Sequence, residues 1–177
     1  MTAIVGLVHQ ERVYVGGDSA GVAGLSLRVR ADTKVFRNGG FLFGFTTSFR
    51  MGQLIHHSLQ PPKPVGDLEH FMCTTFVDAV RACLKDGGWA RKDSDREEGG
   101  TFVVGVAGRL FTVEEDYQVA EPADQYAAVG SGSEVALGAL YATAGGRTPP
   151  RKRVDLALRA AERFNAGVRA PFVCLTL

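Results

Sequence analysis

At 177 residues the chain has the length of one domain, residues 1–177, with a substantial core. Hydrophobic residues make up 45% and charged residues 22%, both near the globular norm, which excludes a disordered chain. A net charge of +1 offers nothing to attract nucleic acid, and no apolar run approaches the roughly 20 residues of a membrane span. Cys73, Cys83 and Cys174 are odd in number and no secretory leader precedes them, so they read as reduced core thiols of a cytoplasmic protein.

The first half reads as β-structure. Thr2–Val8 is rich in β-branched residues, turns at His9-Gln10-Glu11-Arg12, and resumes as Val13–Gly17. Ala20–Arg30 reads as one loosely alternating strand, with Leu25, Leu27 and Val29 on one face and Ser26, Arg28 and Arg30 on the other. Thr33–Phe36 and Phe41–Phe45 flank Arg37-Asn38-Gly39-Gly40, a hairpin turn. The period then changes. Ser48–Leu59 is helical and stops before Pro61-Pro62, and Asp67–Lys85 carries apolar residues at three- and four-residue steps before Gly87-Gly88. Ala90–Gly100 is charged and reads as a mobile loop. Thr101–Ala107 and Leu110–Val113 form a hairpin around Gly108-Arg109, and Tyr126–Val129 is a short strand entering Gly130-Ser131-Gly132-Ser133. Helices follow over Glu134–Ala144 and Arg151–Asn165, and Pro171–Leu177 is a closing strand. Clustered strands and clustered helices imply an α+β fold rather than alternating βαβ units. Two antiparallel sheets face to face, with a helix pair outside each, would bury every apolar face as a four-layer αββα sandwich.

Thr2 carries the strongest chemical signal. Its small side chain makes Met1 a substrate for methionine removal, which would leave a threonine bearing a free α-amine. A hydroxyl alone is a weak nucleophile, and an adjacent amine is one of the few groups that activates it. The series Thr2, Gly17-Asp18-Ser19, Thr33-Lys34-Val35, Phe43-Gly44-Phe45 and Val129-Gly130-Ser131-Gly132 resembles the proteasome β-subunit superfamily, and within it the HslV-like N-terminal nucleophile (Ntn) hydrolases. The similarity runs from Thr2 to about Phe164.

The resemblance implies the site residue by residue. Thr2 matches the nucleophile, with its own amine as general base. Lys34 matches the cation beside the hydroxyl, Asp18 the carboxylate paired with that lysine, and Ser131 a serine that relays a proton near the amine. The backbone N–H of Thr47 falls where the family builds its oxyanion hole. Family members commonly have Gly-Gly there, whereas this chain has Thr46-Thr47-Ser48. Many also carry an Asp and a Ser after the last helix. Here that stretch is Asn165-Ala166-Gly167-Val168-Arg169-Ala170-Pro171, with Asn165 as a partial replacement. By position Phe36, Phe45 and Phe49 would line the substrate pocket with Gly21 at its rim, which implies a preference for an apolar side chain before the cleaved bond.

The resemblance implies homo-oligomeric rings that take unfolded protein or peptides, with an ATP-dependent unfoldase as a possible partner and no cofactor, while charge and hydropathy give no argument for nucleic acid or membrane. Two other readings fit the same residues: a catalytically silent ring scaffold and an Ntn amidase acting on small amides. His56-His57, His70 and the cysteines lack metal-ligand spacing. Arg151-Lys152-Arg153 reads as a solvated helix start or a contact with a partner ring. Gly130-Ser131-Gly132-Ser133 lacks the third glycine and the βαβ context of a dinucleotide turn.

Overall fold

The computed structural model describes residues 1–93 and 96–177, with only the backbone described for 91–93 and 96. Alternation along the strands decides which face each side chain takes. Strands β1 (Ile4–His9) and β2 (Arg12–Gly17) form a hairpin around Gln10 and Glu11, both in the left-handed region. With β12 (Tyr126–Val129) and β13 (Val173–Thr176) they make a four-stranded sheet of order β12-β1-β2-β13. A five-stranded sheet of order β11-β10-β9-β6-β5 is built from β5 (Val35–Asn38), β6 (Phe41–Phe45), β9 (Phe102–Val106), β10 (Arg109–Val113) and β11 (Val119–Ala120). All pairings are antiparallel.

Three hydrophobic clusters follow from the period of two. Odd residues of β1 (Ala3 just before it, then Val5 and Leu7) pack with Ala136 and Leu140 of α4 (Ser133–Ala142) and with Val154, Ala157, Leu158 and Ala161 of α5 (Pro150–Phe164). Ile4, between them in sequence, faces Val13, Val15, Val35, Leu42 and Val103, where residues of both sheets meet. Phe41, Phe43, Phe45, Phe102 and Val104 point the other way. They meet α1 (Phe49–His57) and the helix formed by α2 (Leu68–Phe71), a π-helical turn Met72–Phe76 and α3 (Val77–Asp86). Glycine permits the close approach between the sheets. A Cβ on Gly44 would lie 2.5 Å from Ile4 Cγ2, and one on Gly105 would lie 2.6 Å from Val13 Cγ1.

Three details differ from expectation. Ala20–Arg30 is a hairpin, β3 (Ala20–Ala23) and β4 (Ser26–Val29), because Gly24 takes φ +58° and breaks the run. Leu25 at its tip is fully exposed. The charged segment 90–100 pairs Arg91–Asp93 (β7) with Arg96–Glu98 (β8) rather than forming only a loop, while its tip, residues 94 and 95, lies outside the described residues. Cys73 is exposed and Cys83 and Cys174 are half-buried, so only the reading as free thiols holds, not the core location. The Arg151–Arg153 run starts α5 as expected, with Arg151 and Lys152 exposed: Arg151 donates to Cys174 O, Lys152 pairs with Asp155, and Arg153 donates to Leu140 O at the end of α4. Among the described residues no helix is long and apolar enough to cross a membrane.

Candidate functional site

The turn after β2 and the loop before β5 bring Asp18 and Lys34 under Thr2. Lys34 Nζ donates to Thr2 Oγ1 at 2.8 Å and to Asp18 Oδ1 at 2.8 Å. Both partners of this ion pair are buried, with side chains 1% and 0% exposed. Four donors hold Asp18. Oδ1 also accepts the Ala3 N–H (3.1 Å), and Oδ2 accepts the Ala20 N–H (2.8 Å) and the Arg169 N–H (3.2 Å). A buried carboxylate survives because every lone-pair direction is used. Burial pushes the Lys34 pKa down from its ordinary value, Asp18 opposes the fall and Arg30 adds to it.

Ser131 sits at the other side of Thr2. Its Oγ accepts the Thr2 N–H at 3.2 Å and donates to Asn165 Oδ1 at 3.2 Å. Asn165 Oδ1 also accepts the Gly167 N–H, and its Nδ2 donates to Ser131 O at 2.7 Å. These opposed roles fix the orientation of the amide. Gly130 lets the chain pass this closely: its φ is +98°, and a Cβ there would stand 2.4 Å from Thr2 O. With Met1 in place, Thr2 nitrogen is a peptide N–H and the Thr2 hydroxyl donates to Met1 O at 2.5 Å.

Thr47 takes φ +62°, a strained conformation for a β-branched residue and one that glycine adopts freely. Its Oγ1 accepts the Thr101 N–H at 3.1 Å, which secures the turn, and Ser48 caps α1. Thr47, Ser48 and Phe49 line a cavity of about 480 Å³ beside Thr2 together with Gly21, Arg28, Arg30, Lys34 and Phe45.

The residues Thr2, Asp18, Lys34, Ser131, Thr47, Gly21, Phe45 and Phe49 therefore come together. Phe36 does not join them. Alternation along β5 sends Val35 between the sheets and Phe36 to the α1 side, where it stacks on His56 (4.2 Å between centroids) and lines a neighbouring cavity. Arg28 and Arg30 entered no sequence-based list of site residues, although their place with Ser26 on one alternating face was the signal. The backbone N–H of Arg169 left none. Among the described residues no group of three or more His, Cys, Asp or Glu could hold a metal ion.

No family model matches the sequence. No curated protein matches it either. Solved structures do. BPH from Thiobacillus denitrificans, in complex with epoxomicin, superposes with a TM-score of 0.81 at 21% identity, covering 99% of this chain and 97% of that one. The fold is that of the HslV-like Ntn hydrolases. HslV from Trypanosoma brucei gives a TM-score of 0.72 at 19% identity over 99% and 98% of the two chains. A Gly-1 mutant of Anbu from a Hyphomicrobium strain gives 0.71 at 16%, over 100% of this chain and 82% of that one. At these identities the HslV-like likeness concerns the fold.

Proposed function

We propose that this chain is one αββα Ntn-hydrolase domain and a subunit of a homo-oligomeric, self-compartmentalising ring that hydrolyses peptide bonds with Thr2 as N-terminal nucleophile. The observation that carries the reading is Lys34 Nζ shared between Thr2 Oγ1 and Asp18 Oδ1, with Ser131 at the Thr2 nitrogen. Removal of Met1 turns that nitrogen into an amine. Its unperturbed pKa of about 8 suits a general base near neutral pH, and the Lys34 cation disfavours its protonated form. The amine takes the hydroxyl proton, directly or through Ser131, and Oγ1 attacks the substrate carbonyl carbon. Charge on the carbonyl oxygen meets the Thr47 N–H, which has no protein acceptor among the described residues. The proton passes to the leaving amine, and water then cleaves the ester on Thr2 by the same route in reverse.

The structurally similar BPH is in complex with epoxomicin, an epoxyketone, and a site of this kind here would react with such reagents. A nucleophile of this reach is safe in a cytoplasm only when enclosed, which favours a ring fed by an ATP-dependent unfoldase. The test is size-exclusion chromatography combined with fluorogenic peptide hydrolysis on Met1-free protein. A multi-subunit species that turns over peptides is expected. A monomer at micromolar concentration defeats the ring. An inert ring selects the silent scaffold, and turnover of small amides alone selects the amidase.

A further inference from the structure

The cavity beside Thr2 is lined by three basic residues, Arg28, Arg30 and Lys34, and by no acidic one. Lys34 is committed to Thr2 and Asp18. Arg30 is built into the wall. Its Nε and Nη2 donate to the two carboxylate oxygens of Asp32, both at 2.7 Å, and its guanidinium lies 3.8 Å from the centroid of the Phe49 ring. Its stem fills the space that a side chain at Gly21 would need, with Cδ 2.8 Å from a Cβ built there. Asp32 lines the neighbouring cavity, not this one; it anchors Arg30 and offsets that residue's charge. Arg28 stands opposite Gly21 in the β3–β4 register, and among the described residues it has no carboxylate partner.

We propose that Arg28, beside the wall that the Asp32-anchored Arg30 builds, forms a carboxylate-binding subsite next to Thr2, so that the preferred substrates are peptides with aspartate or glutamate next to the scissile bond. The inference rests on Thr2 being the nucleophile. It replaces the apolar preference expected from the phenylalanines: Phe36 lies in the other cavity, Phe45 is only 4% exposed, and a guanidinium covers Phe49. A guanidinium offers a planar fork of donors that matches a carboxylate, and that of Arg28 lines the cavity opposite Gly21 with no carboxylate on it among the described residues. Arg28 is exposed, so its share of the preference weakens as salt rises.

The test treats the full chain, after Met1 removal, with peptide epoxyketones that differ only in the side chain next to the epoxyketone: glutamate, leucine or lysine. Adduct formation is followed by intact mass. The glutamate reagent should react about tenfold faster than the lysine one, a difference of about 1.4 kcal/mol. The ratio should approach one in Arg28→Gln, invert in Arg28→Glu and fall in Arg30→Gln. Arg28 is exposed on a short ribbon, so its replacement leaves the core intact. Equal rates with all three reagents, or a glutamate preference that survives the changes at both arginines, would overturn the subsite and leave Thr2 as nucleophile. Absence of any adduct would overturn the nucleophile and the subsite together.

Discussion

Replacing Asp18 with asparagine probes the ion pair under Thr2. Each carboxylate oxygen accepts from two donors, Lys34 Nζ and the Ala3 N–H on one side, the Ala20 and Arg169 N–H groups on the other. Whichever way the new amide turns, its NH₂ faces two donors. If Lys34 stays charged, a buried ammonium loses its partner, which costs about 3–5 kcal/mol. Discharging Lys34 offers an escape. Its folded pKa lies below 10.5, so at about 1.4 kcal/mol per pH unit this route costs less than about 5 kcal/mol at pH 7. A loss of about 3–4 kcal/mol at pH 7 is therefore expected. The pH dependence has a definite sign. A lysine whose folded pKa lies below its unfolded value binds fewer protons folded than unfolded in that window, so stability rises with pH there. Asp18→Asn lowers the folded pKa further, which widens the window and shrinks the deficit between pH 7 and pH 9. Urea denaturation of both proteins at the two pH values measures this. A deficit under about 1 kcal/mol at pH 7, or one that does not shrink at pH 9, would refute the charged pair.

Further expectations concern the other side of Thr2. Asn165→Ala removes the acceptor for both Ser131 Oγ and the Gly167 N–H, so epoxyketone labelling of Met1-free protein should slow by about tenfold with about 1–2 kcal/mol of stability lost in thermal unfolding. Unchanged labelling would remove Asn165 from the relay. Gly130→Ala forces a Cβ to 2.4 Å from Thr2 O at φ +98° and should cost about 3 kcal/mol; a neutral melting point would contradict the packing described. Peptide hydrolysis should rise with pH as the amine loses its proton, below the free amine's value of about 8 because of the Lys34 cation, and fall as Lys34 loses its own proton somewhere below 10.5. A rate that does not vary between pH 6 and 10 would exclude the amine as base.

Much of the fold was legible because the strands obey their period so strictly. Phe41, Phe43 and Phe45 go to one face while Leu42 and Gly44 go to the other, and the β5–β6 and β9–β10 turns sit at Gly39-Gly40 and Gly108. The β3–β4 hairpin was not legible, because Leu25, Leu27 and Val29 keep the alternation going across a turn that only the backbone angle of Gly24 reveals. The π-helical turn at Met72–Phe76 leaves the apolar spacing of its helix almost unchanged. Asp18, Lys34 and Ser131 stood out only through their order along the chain after Thr2, since a turn aspartate and a surface lysine look the same in sequence. What the sequence could not show is that Lys34 reaches both partners from a buried position, or that Arg30 folds over Gly21 onto Phe49. Those are facts of tertiary packing, between residues far apart or on opposite strands.

The central claim is that Thr2 is a live N-terminal nucleophile. Intact mass spectrometry before and after a peptide epoxyketone tests it most directly, because the reagent requires a free α-amine and the adjacent hydroxyl on one residue. Loss of Met1 and one adduct per chain, absent in Thr2→Ala, is the result this account predicts. Fully trimmed, folded protein that takes up no reagent would contradict it.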